Sequence, residues 1–128
     1  MKTTKAILFA CAAMVALPAL PAAAEQLDVP VMEHADEFTD TCAWGKIKGL
    51  KADGDGFLAV RSGPGSTYRK LDELHNDDPV WIFDKRGKWI GIVYDTPGLS
   101  CNSTVDRPVP YDGRKGWVHE NWVDLIAG

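Results

Sequence analysis

The side chains able to do chemistry are few in this chain, and their spacings argue against catalysis. His34, His75 and His119 are scattered, without the short separations that metal ligation needs. Asp53-Gly54-Asp55-Gly56 resembles the start of a calcium loop, but the closing glutamate is absent and the next acid is Asp72. A hairpin turn is the expected reading. Ser62-Gly63-Pro64-Gly65-Ser66 is glycine-rich but lacks the lysine of a phosphate-binding loop and the G-x-S-x-G order of a nucleophile elbow. His119 and Glu120 are adjacent, so they cannot share one helix face as a zinc-protease pair does. These residues predict a non-enzyme with no metal and no cofactor.

Cysteine is the remaining reactive type. Lys2 and Lys5, the apolar run Ala6 to Leu17, the breaks at Pro18 and Pro21, and the small residues Ala22-Ala23-Ala24 together read as a signal peptide. Residues 1–24 are therefore expected to be removed before Glu25. The run is shorter than the roughly 20 residues that cross a membrane as a helix, so no membrane span is expected. Leu8-Phe9-Ala10-Cys11 loosely resembles a lipid-attachment box. Phe9 is bulky for that role and only Ala6 to Ala10 precede the cysteine, so Cys11 is expected to leave with the signal. Cys42 and Cys101 then form an even pair in a periplasmic or secreted protein, most simply a disulfide rather than a nucleophile. Closing a loop of some 60 residues stabilises by about 4 kcal/mol in the chain-entropy treatment.

Charge narrows the partners. Residues 25–41 hold six acids, Glu25, Asp28, Glu33, Asp36, Glu37 and Asp40, and no lysine or arginine. Residues 42–128 are formally neutral, with 12 acids against 12 lysines and arginines. Such a chain has no general attraction for phosphate backbones, so nucleic acid is not an expected partner. Residues 25–41, with Pro30 among them, read as an acidic tail or loosely attached lead-in, with Val29, Val31, Met32 and Phe38 as possible tethers.

From Cys42 onward, short apolar runs alternate with turn residues, which predicts an all-β domain over 42–128. Strands are expected at Cys42–Gly49, Phe57–Arg61, Lys70–Leu74, Val80–Asp84, Lys88–Tyr94, Lys115–His119 and Val123–Ile126. A tight hairpin is expected at Lys85-Arg86-Gly87, and a long loop at Asp95–Gly113. Alternation assigns Leu58, Val60, Val80, Ile82, Ile90 and Ile92 to one interior, joined by Leu71, Leu74, Trp117 and Val123. Trp81, Trp89 and Trp122 fit core or surface equally well. Strands this short suit a small closed barrel.

Three segments in order resemble the bacterial SH3 domain family: Leu58-Ala59-Val60-Arg61-Ser62-Gly63-Pro64-Gly65-Ser66-Thr67-Tyr68, then Gly87-Lys88-Trp89-Ile90-Gly91-Ile92, then Gly116-Trp117-Val118-His119 followed by Trp122 and Val123. The resemblance covers about residues 42–128. It implies an SH3-like barrel of five to seven short antiparallel strands, and the cysteine pair would pin its one long loop. The Asp95–Gly113 loop is longer than the family's usual connection, and Cys101 lies within it. Related domains often sit beside a cell-wall hydrolase domain, and none is expected within these 128 residues.

The resemblance also implies a function in binding. The expected ligand is a cell-wall peptide or another extended peptide, held by candidate residues Arg61, Tyr68, Trp89 and Trp122. Arg61 would meet a carboxylate, and Tyr68 and Trp89 would form a groove wall. The alternative is a module that docks on another envelope protein, for instance as an immunity-type inhibitor. A monomer is expected in either case.

Overall fold

A computed structural model describes residues 27–35, 41–51 and 56–127. The expected signal peptide with Cys11, the tether Phe38 and the Asp53-x-Asp55 turn lie outside the described residues. The elements are β1 (Met32–Glu33), β2 (Ala43–Ile47), β3 (Leu58–Arg61), β4 (Lys70–Leu74), β5 (Pro79–Arg86), β6 (Trp89–Tyr94), β7 (Arg107–Pro108), β8 (Arg114–His119) and β9 (Val123–Ala127). A 3-10 turn, Glu120–Trp122, precedes β9. No described helix is long and apolar enough to cross a membrane.

Seven strands form one antiparallel sheet in the order β4-β3-β8-β6-β5-β2-β9. Leu74 on one edge strand and Val123 on the other pack into the same apolar cluster, so the sheet is rolled into a barrel. That interior holds Ile47, Leu58, Val60, Val80, Ile90, Ile92, Tyr94 and Val118. The all-β barrel implied by the sequence is therefore present, with its strands close to the expected bounds. The β5–β6 hairpin turns at Gly87, whose φ of +61° is the left-handed region that favours glycine. The turn falls after Arg86 rather than at Lys85, because β5 pairs with β6 as far as Arg86↔Trp89.

A second core covers the opposite face of the central strands. Val31, Phe83, Val93, Val109 and Trp117 form it, with Trp81, Trp89 and Tyr111 packed around them. Trp117 is buried as expected, but on this outer side, while its neighbours Gly116 and Val118 face the barrel interior. Leu71, expected in the interior, is only half-buried. A register shift between Ile82 and Asp84 lets both Phe83 and Asp84 be buried.

The outer layer has two sources. One is the long loop, whose β7 pairs antiparallel with β1 (Met32↔Pro108, Glu33↔Arg107). The other is residues 27–35, which are docked rather than loosely attached, with Val31 and Glu33 buried. Val31 seats against Gly91, where an added Cβ would come within 2.8 Å of the valine methyl. Cys42 and Cys101 are joined in a disulfide with Cα atoms 5.7 Å apart, tying the long loop to the start of β2.

Candidate functional site

Polar chemistry on the outer side is satisfied internally. Glu33 is fully buried; its Oε1 accepts from Arg107 Nε at 2.9 Å, and its Oε2 accepts from the hydroxyls of Thr41 and Tyr111, the latter at 2.8 Å. Burial alone would raise the pKa of this carboxyl. The three hydrogen bonds and the Arg107 charge together outweigh it and hold Glu33 below its ordinary value of 4.5. Burial and the neighbouring carboxylate push the Tyr111 phenol up. A second buried acid, Asp84, accepts from Met32 N at 3.1 Å and lies 2.8 Å from His34 Nε2. These groups clamp the outer layer and leave little polar capacity for a ligand.

The barrel mouth differs. Inward-facing residues of β2, β5, β6 and β9 run past the end of the interior plug and leave an open groove of about 550 Å³. Ala43, Ile82, Ile90 and Val123 form its apolar floor, and Lys48, Lys85, Glu120 and Leu125 its rim. The rim charges pair with each other or with exposed neighbours: Lys85 Nζ with Glu120 Oε2 at 3.0 Å, and Lys48 Nζ with Asp124 Oδ1 at 3.9 Å. Leu125 is 63% exposed and Ile126 46%. Both lie on β9, an edge strand whose partner in the sheet is β2. An apolar floor beside a strand edge can hold an extended chain by main-chain hydrogen bonds and side-chain pockets.

A second open cavity, about 520 Å³, lies between the start of β5 and the end of β6. Asp72, Asp78, Asp95 and Arg114 line it, with Leu74 and Pro79. Asp72 Oδ2 already accepts from Tyr94 Oη and Arg114 Nη1, each at 2.9 Å. Among the described residues, no group of three or more histidine, cysteine or acidic side chains is placed to hold a metal.

The four candidate residues do not converge. Arg61 and Tyr68 are brought together, with Arg61 Nη1 donating to the Tyr68 carbonyl at 3.0 Å. The Tyr68 ring lies against Gly63, where an added Cβ would sit 2.5 Å from it. Both residues thus brace the loop between β3 and β4. Trp89 stands on the outer face, edge-on to His119 with ring centroids 5.5 Å apart. Trp122 is 40% exposed and packs on Gly49. None of the four lines either cavity, although Glu120, Asn121 and Val123 around Trp122 line the mouth groove. Sequence reasoning missed Lys48, Lys85 and Leu125 as a group. The signal available was Leu125-Ile126, an apolar pair beyond the closing motif with no facing strand to cover it.

A rolled antiparallel sheet with an open apolar groove at its mouth defines a small β-barrel of the SH3-like kind. The family model for the bacterial SH3 domain matches residues 56–124, more than half of the chain, and the chain belongs to that family. No curated protein gives a match, and no solved structure does. The matched span does not include residues 27–35, the segment that seals the outer face.

Proposed function

We propose that this protein is a non-catalytic module of the cell envelope that binds an extended peptide, cell-wall stem peptides foremost, in the groove at the barrel mouth. The observation that carries this reading is the apolar floor Ala43, Ile82, Ile90 and Val123 lying open beside the edge strand β9. Rim chemistry supports it. Stem peptides carry carboxylates, and Lys48 and Lys85 stand at the groove in pairs exposed to solvent. Exposed pairs are worth about 0–1 kcal/mol, so exchanging Asp124 or Glu120 for a ligand carboxylate costs little. Trp122 is an aromatic flank for the bound chain. The disulfide fits a periplasmic or secreted location.

The test is sedimentation of the mature protein with purified sacculi. The folded protein is expected in the pellet, and Leu125→Asp and the double change Lys48→Glu, Lys85→Glu are expected to leave it in the supernatant. If the wild type pellets no better than a heat-unfolded control, the reading fails. A second reading, docking on another envelope protein, is favoured by Val105, 59% exposed on the pinned loop. Crosslinking in the envelope separates the two: muropeptide adducts support the first, and one protein adduct supports the second.

A further inference from the structure

We infer that the outer channel of the barrel is itself a peptide-recognition site, filled in cis by the chain's own Leu27–His34 and able to take the same segment in trans. The segment is held as recognition modules hold an extended ligand, through backbone groups and alternate side chains. Val29 N donates to the Ser62 carbonyl at 3.0 Å, and the Val29 carbonyl accepts from the Trp117 indole at 2.8 Å. Val109 N donates to the Val31 carbonyl at 3.0 Å, and Met32 N to Asp84 at 3.1 Å.

Side chains add a pattern. Val29 and Val31 turn inward, Val31 into the notch at Gly91, while Pro30 faces out. A carboxylate marks each end: Asp28 accepts from the Ser62 hydroxyl and lies 3.6 Å from Arg69 Nε, and Glu33 enters the Arg107–Tyr111 clamp. The receptor side comes almost wholly from the family-matched span, and the segment from outside it. The occupant is thus an acid-flanked strand with two β-branched residues at alternate positions, and a second copy of this chain is the nearest source of one. The inference does not rest on what fills the barrel mouth.

Tethering hides such a site, because a linked segment competes at a millimolar effective concentration. The experiment therefore uses the full mature chain with a specific protease site replacing residues 36–40, cleaved after folding. A fluorescent peptide of residues 27–35 is then added. Its anisotropy is expected to rise saturably, to be reversed by unlabelled peptide, and to need about 100-fold more of a peptide carrying Val31→Asp. Three results would overturn the proposal: no uptake over days with the cleaved segment still in place, equal uptake of the Val31→Asp peptide, or loss of the body's cooperative melting when the segment leaves. The first and last would make the segment a permanent strand of the fold rather than an exchangeable ligand.

Discussion

The same central strands are finished in opposite ways on their two sides. On the outer face every prominent group has a partner: Trp117 bonds to Val29, Glu33 to three donors, and Asp84 to Met32. At the barrel mouth Ile82 and Val123 are left half-buried and Leu125 projects into solvent. The contrast teaches that exposure of apolar surface here has little to do with a shortage of covering chain. Among the described residues, 27–35 and the long loop together cover one face, and neither lines the mouth groove. Stability should accordingly respond to changes on the outer side, and binding to changes at the mouth.

The strongest challenge to this contrast is Trp117→Ala, which removes a fully buried indole and its hydrogen bond. A loss of about 5 kcal/mol is expected in urea denaturation. A loss under about 1 kcal/mol would show that the outer layer is dispensable. Removing the disulfide with Cys42→Ser and Cys101→Ser is expected to cost about 4 kcal/mol, measured by the same denaturation. Next comes Glu33→Gln, at about 1–3 kcal/mol above pH 6 from the lost charge-assisted hydrogen bonds.

That third change has a pH signature. The folded pKa of Glu33 lies below its unfolded one, so its contribution is present above about pH 4.5 and is lost as pH falls through the lowered value. Thermal melts from pH 6 to pH 2 should show this loss in the wild type and a flatter profile in Glu33→Gln. The smallest effect on stability belongs to Leu125→Asp, within about 0.5 kcal/mol for so exposed a site. Its retention on sacculi should nevertheless disappear, and this separation of stability from binding is what the contrast requires.

The barrel was legible because its strands are short alternating runs between glycine and acidic turns. Lys70–Leu74 was read to the residue. The outer layer was hidden for a physical reason. Glu33 reads as part of a solvated acidic stretch until Arg107 and Tyr111, more than 70 residues onward, are brought to it. One local clue existed: Trp89-Ile90-Gly91-Ile92-Val93-Tyr94 has hardly a polar position, as expected of a strand covered on both faces. Trp117 was assigned correctly to a core, but alternation could not choose the side, since Gly116 and Val118 also suit burial. The mouth was missed because alternation reveals which face a residue takes. It does not reveal where along the barrel axis the filling stops. Ile82, Ile90 and Val123 were therefore read as interior, when they also form the floor of an opening.

The pairing of β1 with β7 bears on how the chain reaches its native state. Glu33 and Arg107 are 74 positions apart, and Val29 waits for Trp117, 88 positions on. A polypeptide emerging from its N-terminus thus presents Leu27–His34 long before Arg107, Tyr111 and Trp117, which receive it, have been made. Such distant contacts repay their loop-closure entropy late and slow the search. The earliest part of the domain to be synthesised is among the last to settle.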